Sequence, residues 1–456
     1  MSISYNALSG ALAAQAAVNT VSQNIANLQT KGYTRQGVLL QSISTDPGVN
    51  SAGNGVQIGS LLRFSDSYKS QQMWRAASDL GQRSQVQPYL TQLEKVMADS
   101  TSSISYGVDN FFKALNAAAV DPTSTPLRQQ VITMADSMSQ QVNSIYNLTA
   151  TQLISANQQR GAVLPSINEA LAGIAALNEK IIQVGAAGTA TSGLVDQREQ
   201  LIDGVASQVA IEVINNPDGS ASVSLKTGQP LVVSDMAAKL NFETLSGTQT
   251  LNLTFAGTKF RLDDTKVGGQ LGGLGNFVQN TLKPLQTSIV EIAQQLSTKV
   301  NDQLKLGFTA PGVAGKDLFV FNPASATGLL GIDPAIKAGD LAFSTDGTPG
   351  DSGNLQLLVD IKSQPITLTT LGSVLLNDAD TQVVGKLAVD SQQNQALLKT
   401  ATTIRRQSED DWASTSAVNR DEEAINLIEY QNMYQANMKV ISVANTLFDA
   451  TLQMFN

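Results

Sequence analysis

The sequence predicts a mostly α-helical fold with a β-rich insertion: a nested multidomain rod with its N- and C-terminal helices paired in a coiled coil, a helical-bundle core and a small outer β-domain. Three observations predict it. Apolar residues recur in heptads at both ends of the 456-residue chain, further helical stripes lie inward of them, and the period changes to alternation only near the middle.

The first segment places Ala7, Ala11, Ala14, Val18, Val21, Ile25 and Leu28 alternately four and three residues apart, a seam along one helix face. The opposite face carries Asn, Gln and Ser, and no charge precedes Lys31. The helix is expected to run to Gly32, a residue suited to a left-handed C-cap. Inward of it, Val131, Met134, Met138, Ile145 and Leu148 form one stripe, and Ile167, Leu171, Ile174, Leu177, Ile181 and Val184 another. Leu282, Leu285, Ile289, Ile292, Leu296 and Val300 form a third.

Between these stripes Ile211 and Val213 alternate up to the turn sequence Asn215-Asn216-Pro217-Asp218-Gly219, followed by Val223 and Leu225 and later by Leu251, Leu253 and Phe255. The run from Gly268 to Gly275 reads as a linker back into helix, and residues 307–360 as loops and short strands. At the far end Leu427, Tyr434, Ile441, Phe448 and Phe455 recur every seven residues, with Leu452 in the final turns. Asn419 followed by Glu422 makes an N-cap pair, and Asp421, Glu422 and Glu423 suit the positive end of the helix dipole. The expected division is therefore 1–60 with 405–456 as a terminal coiled-coil assembly domain, 61–200 with 270–404 as the helical core, and 201–269 as the outer β-domain.

Composition removes most chemistry. With Cys 0 and His 0 there is no thiol nucleophile, no imidazole base and no zinc site built from either. A formal charge of -9 with no basic run argues against nucleic-acid partners. The amide-interrupted N-terminus does not read as a secretory signal peptide, and no apolar stretch reaches the length of a membrane span. A cysteine-free chain can be unfolded, threaded through a channel and refolded outside without disulfide errors. Carboxylate pairs at Asp263/Asp264, Asp378/Asp380 and Asp410/Asp411 read as surface rather than catalytic pairs, and the loop Asp346–Asp351 as a turn rather than a calcium site. No catalytic residue, cofactor or metal is expected.

The terminal stripes have partners in each other, but the C-terminal one continues on two adjacent faces and the N-terminal helix has amides where charges would keep it solvated. An assembly surface is therefore expected at Ala7, Ala11, Ala14, Val18, Val21, Ile25, Leu28, Leu427, Tyr434, Ile441, Phe448, Leu452 and Phe455.

The segment Asn24-Ile25-Ala26-Asn27, with Thr30-Lys31-Gly32-Tyr33-Thr34-Arg35-Gln36, resembles the N-terminal signature of the flagellar axial proteins, and Tyr434-Gln435-Ala436-Asn437 with Met438-Lys439-Val440-Ile441 their C-terminal signature. Gly32 to Gln36, Leu194 to Leu201, Gly228 to Val232, Asn419 to Ala424 and Ala444 to Asp449 are similar to the hook-associated junction family within that class. The resemblance implies an extracellular structural subunit of the bacterial flagellum that self-associates in a helical ring between hook and filament. It implies contacts with the hook protein, with a second junction protein and with the filament, export by the flagellar type III system, and a dedicated export chaperone at the C-terminal helix. Another axial subunit (hook, rod or filament) shares the terminal heptads, and a flagellum-associated cell-wall hydrolase is the competing enzymatic reading.

Overall fold

The computed structural model describes residues 2–43, 53–245, 248–309, 312–325 and 328–454, so the expected assembly residue Phe455 lies outside the described residues. Helix α1 (Ser2–Ala26) is followed by the hairpin β1 (Gln36–Ser42) and β2 (Val56–Arg63), then by α2 (Ser67–Met97), α3 (Ile104–Val120) and the long α4 (Thr125–Ala186). Helix α5 (Ser192–Gln208) leads into β3 (Ile211–Asn215), β4 (Ala221–Leu225), β5 (Pro230–Val233), β6 (Met236–Ala237), β7 (Lys239–Leu245), β8 (Thr248–Phe255) and β9 (Thr258–Leu262). Helix α6 (Gly269–Asn276) continues through a π-helical turn at Phe277–Leu282 into α7 (Lys283–Leu306). The pair β10 (Phe319–Phe321) and β11 (Leu330–Ile332), helix α8 (Gly353–Asp360), the pair β12 (Pro365–Leu368) and β13 (Gly372–Leu375), α9 (Leu376–Ser416) and α10 (Arg420–Gln453) complete the order.

Two compact units account for these elements: Met1–Leu80, Pro165–Leu262 and Ala401–Asn456 form one, Gly81–Leu164 and Asp263–Thr400 the other. This grouping differs from the three parts expected from the sequence. Strands β3 to β9 belong to the same unit as both termini, and the boundary expected at residue 201 falls inside α5.

In the first unit the strands make two antiparallel meanders, β3-β4-β5-β6 and β7-β8-β9. Val213, Val223 and Leu225 point inward from the first, Leu251 and Leu253 from the second, as alternation requires when one face is buried. The C-terminal half of α4 buries Ile167, Leu171, Ile174 and Ile181. Two asparagines on that helix substitute for strand partners. Asn178 Nδ2 donates to Ala221 O and Ser234 O, both at 2.8 Å, while its Oδ1 accepts from Ala221 N at 2.9 Å. Asn168 pairs with both backbone groups of Leu240 in the same way. The stripes read separately from the sequence thus lie on one continuous helix.

In the second unit one core joins Leu93 and Met97 of α2, Phe111 and Phe112 of α3, Val131, Met138 and Ile145 of α4, and Ile289, Ile292, Leu296 and Val300 of α7. Phe111 meets Phe112 and Phe319 edge-on, with centroids 5.3 and 5.6 Å apart. The glycine run is no linker: it is α6, and Gly269 and Leu271 through Gly275 are buried in it. A Cβ on Gly273 would lie 2.4 Å from the backbone oxygen of Gln82 in α2, so the absence of a side chain is what lets the two helices approach.

Two of the carboxylates considered for chemistry are committed to structure in this unit. Asp264 pairs with the buried Arg160. Asp380, 4 % exposed, accepts from Ser105 N and Ser105 Oγ, both at 2.9 Å, in the first turn of α3. Burial pushes the Asp380 carboxyl above its ordinary range, against the pull of those hydrogen bonds. A raised folded-state value means that the stability it contributes is full below the unfolded value and is lost as pH rises through the folded one. The difference in Tm between Asp380→Asn and the parent should therefore shift in favour of the variant between pH 4 and pH 8. A difference that stays constant across that range would contradict the assignment.

Candidate assembly surface

Helices α1 and α10 lie antiparallel, and small residues make the contact. Ala7, Ala11, Ala14, Ala17 and Val21 are buried along α1, with Gly10 and Asn24 completing the stripe. Across from them Leu427, Tyr430, Met433, Asn437 and Ile441 are half-buried. The expected seam is thus present but turned slightly. Val18 is half-buried, and Ile25 and Leu28 are exposed, each at 38 %, because Ala17 and Asn24 occupy the inward positions instead. The turn is imposed by a second neighbour, the β1–β2 hairpin, which is pinned to α1 by Asn6 Nδ2 donating to Gly53 O and by Val56 N donating to Ser9 Oγ.

Helix α1 also ends at Ala26, short of the expected Gly32. Asn27 Nδ2 donates back to Gln23 O at 2.9 Å while its Oδ1 accepts from Thr30 Oγ1 at 3.1 Å, so the chain closes on itself and turns. Gly32 does take a left-handed conformation, φ 80°, but in the turn before Tyr33.

The N-terminal signature forms a polar clasp at the base of the helix pair. Buried Asn24 donates to Gln36 O at 2.8 Å and to Glu423 Oε2 at 3.0 Å, and it accepts from Gln36 N and from the Tyr33 hydroxyl at 2.9 Å. Arg35 spans two carboxylates of α10, 2.6 Å from Glu422 Oε2 and 2.8 Å from Glu423 Oε1, with its guanidinium over the Phe64 ring. Thr34 N donates to Asp196 Oδ2 at 3.0 Å. Arg63 then binds Asp196 Oδ1 at 2.9 Å through Nε, Glu199 Oε2 at 2.7 Å and Thr34 Oγ1 at 2.9 Å. Burial, helped by the Asp196 and Glu423 charges, pushes the Tyr33 hydroxyl up to about 12, so it remains a donor at any physiological pH. Burial opposes the Arg63 charge, and its bonds with Glu199 and Asp196 more than offset that, holding it firmly protonated. At the start of α10 Asn419 caps as expected, accepting from Asp421 N at 3.0 Å.

The sequence reading placed Gly32 to Gln36 and Leu194 to Leu201 in separate motifs; the clasp brings them together. Arg63 and Asn24 were not singled out as site residues. Asn24 had a signal, a lone amide on the inward stripe of an otherwise apolar helix.

Outward, the pair is apolar and unpartnered. Ile3, Tyr5, Leu8 and Leu12 of α1 are exposed, as are Ile425, Ile428, Tyr434, Met438, Val443, Leu447, Phe448 and Leu452 of α10. Leu8 is 49 % exposed and Phe448 60 %. Four of the expected assembly residues, Ala7, Ala11, Ala14 and Val21, are instead covered within the chain. Among the described residues no helix is long and apolar enough to cross a membrane.

Both terminal helices are matched by family models of flagellar basal body rod proteins, which puts the chain among the axial proteins of the bacterial flagellum. The family model for the flagella basal body rod protein matches residues 5–34, and that for the flagellar basal body rod FlgEFG protein C-terminal region matches 413–454. The model for the flagellar hook-associated protein FlgK helical domain matches residues 90–319, and the chain belongs to the FlgK family. It is a structural protein of the hook–filament junction. Similar relatives include flagellar hook-associated protein 1 of Escherichia coli K12, 25 % identical over 98 % of this chain and 99 % of the relative. Flagellar hook-associated protein 1 of Bacillus subtilis 168 is 24 % identical over 96 % of this chain and 95 % of its own. The flagellar hook junction protein FlgK of Burkholderia pseudomallei shares the fold, with a TM-score of 0.67 over 75 % of this chain and 99 % of that one, at 16 % identity.

Proposed function

We propose that copies of this chain assemble into a ring between hook and filament through the outward faces of α1 and α10, without catalysing a reaction. The hook protein meets the ring on one side, and a second junction protein and the filament on the other. The subunit reaches that place through the flagellar type III system, with an export chaperone holding α10 before assembly. The observation that carries this reading is the apolar exterior of the terminal pair: side chains as large as Phe448 and Leu447 gain by leaving water, about 1.5–3 kcal/mol each, and none of the described residues covers them. Two of the paired carboxylates are engaged structurally, Asp264 by Arg160 and Asp380 by Ser105.

Leu8→Asp tests the assembly face on α1, remote in sequence from the segment a chaperone would hold. Because Leu8 is already exposed, the variant should keep the parental Tm, yet complemented cells should carry hooks without filaments and release filament subunit into the medium. Normal filaments on such cells would overturn the assignment.

A further inference from the structure

The stripe of α1 that faces α10 is nearly the same every seven residues. Ala7, Ala14 and Val21 repeat on one edge, Gly10, Ala17 and Asn24 on the other. A slide of the two helices by one heptad would exchange Ala7 for Ala14 and Ala14 for the slightly larger Val21, so apolar burial alone scarcely distinguishes the registers. Within the helix seam two contacts do, one steric and one polar. Asn437 rests on Gly10: a Cβ there would lie 2.5 Å from Asn437 Oδ1 and 2.9 Å from its Cγ. Asn24 meets Glu423, whose side chain is 1 % exposed. Gly10 and Asn24 are two heptads apart on α1, and Asn437 and Glu423 are two heptads apart on α10, running the opposite way.

We propose that these two contacts are the register-determining elements of the terminal helix pair, selecting one alignment of an otherwise repetitive seam. The energetics follow from what each contact becomes after a slide. Moved one heptad, Asn437 faces Ala17 or Ile3, and a side chain occupies the space that Gly10 leaves open. Glu423 faces Ala17 in one direction, a buried carboxylate without its Asn24 donor, and in the other it passes beyond the end of α1 at Ala26. Neither helix has a compensating feature one heptad away. A single buried polar residue sets alignment in coiled coils by the same physics, at some cost in stability. Here the two contacts are set at well-separated points, so they oppose tilting as well as sliding. The consequence for assembly is that every copy presents the same outward pattern of Leu8, Leu12, Leu447 and Phe448.

The absence of cysteine from the chain allows a direct test by disulfide trapping in the full-length protein. With Gly10 opposite Asn437 and Asn24 opposite Glu423, Ala14 stands opposite Met433. Ala14→Cys with Met433→Cys should oxidise to a crosslinked monomer, whereas the slipped pair, Ala7→Cys with Met433→Cys, should crosslink at least tenfold less. Adding Glu423→Ala and Asn437→Ala should raise the slipped pair to a yield comparable with the native one, while adding Glu423→Gln, which keeps an acceptor for Asn24, should leave it low. Exclusive native crosslinking in the double-alanine background would overturn the proposal. So would the loss of both crosslinks there, since the contacts would then hold the helices together and not select their alignment.

Discussion

Replacing Arg63 with methionine is expected to destabilise the unit that contains both termini by about 3 kcal/mol, the lower end of the range for breaking a buried ion pair. Arg63 is 13 % exposed at its side chain, and its partners Asp196 and Glu199 are 10 % and 18 % exposed. Methionine fills a similar volume but leaves two carboxylates without their cation and Thr34 Oγ1 without a donor. The cost is the desolvation of those acids, which the folded unit cannot relieve by letting them turn to water. Both tryptophans, Trp74 and Trp412, belong to this unit, so urea unfolding followed by indole fluorescence reports on it directly. A loss under 1 kcal/mol would show that the clasp is a consequence of the fold and contributes little to holding it. Because Arg63 connects the Thr34 turn to α5, the damage should reach the hairpin and α1 while leaving the Phe111–Phe319 core of the other unit intact.

How much of this was legible in the residues depended on what a residue's role required. Heptads announced α1 and α10 because a helix that buries one face must repeat every three to four residues, and alternation announced β3, β4 and β8 for the corresponding reason. The exact facing of α1 was not legible: Ala17 and Val18 are both acceptable on a seam, and only the hairpin, brought in by tertiary contacts of Asn6 and Ser9, selects the former. The end of α1 was misjudged for a related reason. Gly32 carries a stop signal, but Asn27 closes the helix earlier with its own side chain. The clasp was legible as sequence and illegible as geometry. Arg35, Asp196 and Glu423 are far apart in the chain, and no local rule says that a Thr-Arg-Gln turn will meet the first turns of two different helices. The outward apolar face of α10 was legible in kind, although Tyr434, Phe448 and Leu452 are exposed and the half-buried positions are Tyr430, Met433 and Asn437.

The glycine run from Gly268 to Gly275 gives the clearest separation between a local reading and the packed structure, and Gly273→Val should measure it. Were the segment a flexible linker, a side chain at Gly273 would be harmless, and alanine there would even stabilise the chain by about 0.4–1 kcal/mol through the unfolded state. In the structure the added Cβ would lie 2.4 Å from Gln82 O and 3.0 Å from Gln82 Cα, both backbone atoms of α2 that cannot rotate aside. Either α6 moves outward, exposing Leu271 and Leu274, or α2 bends and disturbs Leu90 and Leu93. The expected cost for valine is about 3 kcal/mol, the upper part of the range for overpacked cores. Alanine should also destabilise, because the contact distance already forbids its Cβ and the roughly 1 kcal/mol that alanine gains over glycine in helix propensity does not cover a backbone shift. The sign of Gly273→Ala in thermal unfolding therefore decides the matter: a stabilised protein would restore the linker, and a destabilised one would mean that glycine is kept at this position so that two helices can touch.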